Sequence, residues 1–247
     1  MNRFEELNLM KEILNGLKLV EDKEIRNINP NWFFYGTSYE DIQNDLLQGI
    51  KCSYDLTGKK IKSASGPYYI PVCKNIKNYD SSDLSAFNMK ATSNISLILD
   101  EKLPATKTIN TNNNELMYTI SKLFKDTTLP IRFSIYKDEY QVLNNIDKKY
   151  FCGILFCIIR DIENEIKKAS TIPYVNSSNS SSLSNIIYTI NFLKDLIVFL
   201  NSNNIDLPLY DFSYNREINK RKVMTLEIPT INKKIQVSYS PNYSTYI

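Results

Sequence analysis

The chain contains no histidine, and that removes whole classes of chemistry. A Ser-His-Asp triad, a Cys-His dyad and a His-ligated zinc site all need an imidazole as base or ligand. Any catalysis falls to carboxylates, Tyr, Lys, Ser, Cys or a bound cofactor. Asp100 and Glu101 are adjacent, and neighbouring side chains of an extended strand point to opposite faces, so they make a poor acid–base pair. Glu139 stands in a charged Lys137-Asp138-Glu139 turn between two strand-like segments. A solvated turn residue is its plainer reading and a catalytic carboxylate its sharper one. The four cysteines, Cys52, Cys73, Cys152 and Cys157, include no C-x-x-C pair and read as small buried apolar residues. Tyr35 and Tyr68 lie in aromatic-rich strand candidates. Packing explains each of them first, and a phenol donating to a ligand second.

The elements that would position these residues follow from spacing. Phe4, Leu7, Met10, Ile13, Leu14 and Leu17 predict a helix over 4–20. Trp32-Phe33-Phe34-Tyr35 predicts a short strand. Ser38-Tyr39-Glu40-Asp41 resembles a capping box and opens a helix with Ile42, Leu46 and Leu47 on its buried side. Gly49 sits where a left-handed cap would end that helix. Tyr68 to Val72 predicts a strand near a sheet edge, because Pro71 has no N–H for a ladder. Ile95 to Leu99 predicts another strand, 113–125 a helix, and Ile131 to Tyr136 and Tyr140 to Leu143 two more strands. Tyr150 to Ile166 carries a helical stripe, yet Phe151 to Ile159 also fits a buried strand, and periodicity does not separate the two. Asn176 to Ser182 reads as a linker, Leu183 to Leu200 as a helix, and Val223–Ile228 with Ile235–Tyr239 as a final strand pair.

Three of these segments, in this order, resemble the ADP-ribosyltransferase family of the poly(ADP-ribose) polymerase kind. Phe34-Tyr35-Gly36-Thr37-Ser38, with its helix and Gly49-Ile50, resembles the family's opening strand, where a histidine precedes Gly-Thr or Gly-Ser. Gly66-Pro67-Tyr68-Tyr69-Ile70 is similar to the Gly-Ile-Tyr-Phe-Ala strand, and Ser85-Ala86-Phe87 to the Ser-Ala helix beyond it. Phe133-Ser134-Ile135-Tyr136, Tyr140-Gln141-Val142 and Lys149-Tyr150 are similar to the closing strands. There the family has a Glu ahead of an aliphatic-Val-Tyr run, then Gln-Val and a downstream Tyr.

The resemblance implies an α+β fold of two packed, mainly antiparallel sheets with flanking helices. Residues 1–146 would form that core with its N-terminal helix. Residues 147–247 would form an extension packed on it, a helical hairpin and a short β-hairpin. It also implies an NAD site. Tyr35 takes the place of the histidine that holds the nicotinamide ribose, and Gly36 that of the glycine whose backbone meets the carboxamide, with Thr37 beside it. Tyr68 takes the place of the ring-supporting Tyr and Ser85 that of the second carboxamide contact. The late Glu falls at Ile131 or Arg132. Tyr35, Tyr68 and a shifted Glu139 are therefore the candidate catalytic residues, and Gly36, Thr37, Tyr68 and Ser85 the candidate cofactor contacts.

Two functions follow from the resemblance. One is NAD-dependent mono-ADP-ribosyl transfer to a protein or nucleic-acid acceptor. The other is a catalytically inactive module of the same fold that binds protein, RNA or ADP-ribose. An unrelated α/β host-interaction protein is the third reading. A chain of 247 residues with 43% hydrophobic and 23% charged residues can build a core and is not compositionally disordered. Net charge is +3, too mild to imply nucleic acid alone. The basic clusters Lys59 to Lys62 and Arg216 to Lys222 read as solvated turns first. The second, beside Tyr210, Phe212 and Tyr214, hints at a stacking surface for nucleic acid. Neither a metal nor a membrane span is expected, and the charged, amphipathic start suggests an intracellular protein of cytoplasm or nucleus.

Overall fold

In a computed structural model, the described residues are 3–18, 27–52, 54–55, 68–74, 95–110, 133–134, 138–156, 180–211 and 216–228, with isolated positions at 113, 115, 119, 162–163 and 166–167. They include four helices: α1 (Arg3–Lys18), α2 (Ile42–Gln48), α3 (Ser180–Ser202) and α4 (Lys220–Thr225). The strands are β1 (Phe33–Gly36), β2 (Tyr69–Lys74), β3 (Ile95–Leu99), β4 (Ala105–Lys107), β5 (Ile109–Asn110), β6 (Phe133–Ser134), β7 (Glu139–Leu143), β8 (Phe151–Phe156), β9 (Leu209–Asp211) and β10 (Arg216–Glu217). Eight of them form one sheet in the order β10-β9-β8-β3-β1-β2-β7-β4, and β5 pairs with β6 separately. Every neighbouring pair of the large sheet is antiparallel except β8 and β9. The protein is thus a mixed α+β structure on a mainly antiparallel sheet.

Period-two alternation divides the sheet into two faces. One carries Phe33, Ile70, Val72, Leu97, Leu99, Val142, Ile154, Phe156 and Leu209. The helices cover it: Met10, Ile13, Leu14 and Leu17 of α1, Ile42 and Leu46 of α2, and Ile190, Leu193, Leu196, Ile197 and Leu200 of α3 join the same core. Each such aliphatic side chain stabilises the fold by about 1.5–3 kcal/mol through removal from water. The opposite face carries a smaller cluster of Phe34, Cys73, Ile98, Leu155 and Tyr210, with Trp32 edge-on to Tyr210 at 5.9 Å.

Several sequence expectations need correction. Pro71 does not mark an edge, because β2 lies between β1 and β7. Residues 68 and 74 bond to the β7 side, so alternate positions, Pro71 among them, address β1. The β1–β2 ladder is confined to Phe33–Lys74 and Phe34–Cys73 and so stops short of the proline. The ladder ends where the missing N–H would have been required. The ambiguous run after Tyr150 is strand β8, buried on the sheet between β3 and β9, which suits a continuous apolar sequence. Strands β8, β9 and β10 belong to the same sheet as β1 to β4 and β7. The expected strand over 223–228 begins as helix α4, because the Asn219 side chain accepts from Lys222 N and caps it. The proposed hairpin partner at 235–239 lies outside the described residues.

Around α2 the local chemistry matches more closely. Ser38 Oγ accepts from Asp41 N at 3.0 Å and donates to Asp41 Oδ2 at 2.8 Å, closing a turn ahead of the helix. Gly49 ends the helix at φ 80, ψ 168, with its N–H on Asp45 O. That is a positive-φ exit, extended rather than left-handed helical. A Cβ there would stand 2.5 Å from Ile146 O, so glycine is required on two grounds.

Candidate functional site

Parts of the three motif segments, remote in sequence, come together in the sheet, while Phe133-Ser134 of the third is in the separate β5–β6 pair. β1 pairs with β2 and β2 pairs with β7, so the strands bearing Tyr35-Gly36, Tyr69-Ile70 and Glu139-Tyr140-Gln141-Val142 are consecutive. Their side chains then divide between the two faces. Tyr35 packs on the helix-covered core, and Gly36 addresses the opposite face with Phe34. Glu139 is in register with Cys73 and Gln141 with Pro71, which places both on the Gly36 face.

On the helix side, burial pushes the Tyr35 phenol above its ordinary range, and the carboxylates of Asp45 and Asp41 push it further. Tyr35 therefore stays protonated and is a donor, never a phenolate base. Thr37, buried, is committed to structure: its Oγ1 donates to Asp45 Oδ2 at 2.8 Å and its N–H to Ile95 O. Tyr68 stacks on Tyr54 at 5.1 Å, and its carbonyl accepts from Asn144 N. Ser85, Ile131 and Arg132 lie outside the described residues.

On the other face Glu139 is buried, not a solvated turn residue. It opens β7, and its carbonyl accepts from both Thr108 N at 3.1 Å and Thr108 Oγ1 at 2.9 Å. Gln141 Nε2 donates to Glu139 Oε1 at 3.2 Å. Ser96, also buried, is in register with Gly36 on β3. Gln141 and Ser96 are not among the site residues that the resemblance implies. Ser96 is the single polar residue of Ile-Ser-Leu-Ile-Leu, and Gln141 shares Glu-Tyr-Gln-Val-Leu with Glu139, two positions away on the same face.

What this face can do chemically is limited but definite. A buried carboxylate held by an amide stabilises positive charge developing beside it far better than the same group in water. Cys152, by contrast, is a poor nucleophile: burial, then the nearby Asp100 carboxylate, raises its thiol pKa to about 11. Tyr210 is buried against Trp32 and offers no ring for stacking a base, which removes the described aromatic from the nucleic-acid reading. Among the described residues no His, Cys, Asp and Glu cluster is grouped to hold a metal, and no helix is long and apolar enough to cross a membrane. Comparison with protein-family models, curated proteins and solved structures finds no match to this chain.

Proposed function

We propose that the protein is a divergent ADP-ribosyltransferase-like enzyme that takes NAD and transfers one ADP-ribose unit to a protein or nucleic-acid acceptor. One observation carries this reading: parts of all three segments that resemble the family, Phe34-Tyr35-Gly36, Tyr69-Ile70 and Tyr140-Gln141-Val142, lie on three consecutive strands, β1, β2 and β7, while Phe133-Ser134 of the third segment is in β6. The two packed sheets of that family belong to the proposal; the described residues form one mainly antiparallel eight-stranded sheet and a separate β5–β6 pair. Glu139 takes the role of the late carboxylate. Its position is shifted from the family pattern: it stands directly ahead of Tyr140-Gln141-Val142, the run similar to the family's Gln-Val, and not ahead of the aliphatic-Val-Tyr run. In the reaction the bond from the ribose anomeric carbon to the nicotinamide nitrogen breaks, and its electron pair leaves with neutral nicotinamide. The ribose carries the resulting positive charge until an acceptor nucleophile adds to it. Glu139 stabilises that charge electrostatically.

A second reading rests on Tyr35. The phenol stands where the family has its histidine, yet it packs on the face opposite Gly36 and Glu139. A protein lacking that ribose contact would bind the ligand without turning it over. Incubation with NAD labelled in the adenylate and a mixed lysate separates the two. Transfer or hydrolysis that disappears in Glu139→Gln supports the enzyme. NAD or ADP-ribose binding without consumption supports the binding module. Neither binding nor consumption removes both.

A further inference from the structure

We propose that Gln141 recognises the ligand, its side-chain carbonyl accepting an N–H from the carboxamide of a nicotinamide ring laid over Gly36; this rests on the NAD reading above. Gln141 Oε1 is buried and has no hydrogen-bond partner among the described residues. The orientation of the amide is fixed by chemistry. Nε2 donates to Glu139 Oε1, and turning the amide over would set a carbonyl oxygen against a carboxylate oxygen. The unsatisfied atom is thus an acceptor, and a buried acceptor left unpaired is destabilising. A donor arriving with a ligand recovers that cost.

The registers show where such a ligand would sit. Ser96 pairs with Gly36, Pro71 with Gln141, and Gln141 with Thr106. Extending the Phe34–Cys73 register by two residues sets Gly36 opposite Pro71. One transverse row on this face therefore reads Ser96, Gly36, Pro71, Gln141, Thr106. Its middle holds a residue without a side chain and a compact ring, and both are half-exposed, whereas Ser96 and Gln141 at either side are buried. Between Ser96 and Gln141 the row thus carries its least side-chain bulk and is partly open to solvent, and this is where a flat ring would lie. A primary carboxamide on that ring supplies the N–H that Gln141 Oε1 requires. Glu139 stands one row away, beside Cys73.

Nicotinamide, NAD and ADP-ribose are the probes, titrated by calorimetry into wild type and Gln141→Met, which keeps the side-chain length and removes the polar atoms. The expected result is a loss of about tenfold or more in nicotinamide and NAD affinity, with ADP-ribose affinity unchanged. Since Gln141 is buried, the methionine variant is checked by thermal melting. A second measurement needs no variant of the binding protein: the side-chain amide resonances of 15N-glutamine-labelled wild type, with the Gln141 pair shifting on nicotinamide addition and not on ADP-ribose addition. Wild-type binding of NAD with no Gln141 shift, or unaltered affinity in the variant, overturns this proposal and leaves the NAD reading standing. No binding of any of the three probes by wild type overturns both.

Discussion

The two faces of the sheet are built on different terms. The helix-covered face is a continuous aliphatic core in which α1, α2 and α3 close over β1, β2, β3, β7 and β8. Among the described residues the opposite face carries a smaller, mixed cluster, with Phe34, Ile98 and Leu155 beside buried Ser96, Glu139 and Gln141. A buried polar group costs free energy unless it is paired, so a face that collects several is poor at stabilising and suited to binding. The aliphatic core thus lies on one side of the eight strands, and buried Ser96, Glu139 and Gln141 lie on the other. Tyr35 and Gly36, neighbours in sequence, fall on different sides of that division.

Substitutions on the two faces sharpen the contrast. Leu193→Ala, at the centre of α3 and fully buried, removes side-chain volume from the aliphatic core. A loss of about 2–5 kcal/mol in urea unfolding is expected. Gly153→Ala acts on the other face by overpacking. Its Cβ would stand 2.8 Å from the Tyr210 ring and 3.0 Å from Pro208 O, so a loss of about 1–3 kcal/mol is expected, with a change in Trp32 fluorescence as Tyr210 shifts. Thr37→Val deletes the donor to Asp45 and should cost about 1 kcal/mol in the same unfolding assay.

The smallest effect is on a rate. Cys152 has its folded pKa raised to about 11 from an ordinary value of 9.0. Between those two values the unfolded chain loses its proton first, so this thiol's contribution to stability is full below pH 9 and declines as pH rises towards 11. Alkylation of native Cys152 should be slow at pH 8. Asp100→Asn, which removes the carboxylate near its sulfur, should speed it a few-fold. Equal rates in the two proteins would show that Asp100 has no influence on the thiol.

Much of the helix-covered face was legible in the sequence because its signals are periodic. The 3–4 spacing of Met10, Ile13, Leu14 and Leu17 and the stripe through Ile186, Ile190, Leu193 and Ile197 gave α1 and α3 directly. Gly49 announced the end of α2. The opposite face was less legible because its signals are single residues. Ser96 is a lone polar position inside an apolar strand and Gln141 shares its strand with Glu139, and only the register shows that they share a face with Gly36. Pro71 misled for a related reason. A local rule about ladders cannot say which of two neighbours the absent N–H would have faced. Strand β9 carried too short a pattern, Leu209-Tyr210-Asp211, to be read before its pairing with β8 was known. Residues 151–156 gave the right composition for a strand but no period to distinguish it from a helix.

We propose above that β1, β2 and β7 build the ligand seat on the Gly36 side of the sheet. Backbone amide NMR of the wild-type protein titrated with NAD addresses it most directly. The expected result is a set of shifts centred on Gly36, Ser96 and Gln141, with the helices α1 and α3 unaffected. Shifts confined to the Tyr35 side and α2, or no shifts at saturating NAD, would contradict it.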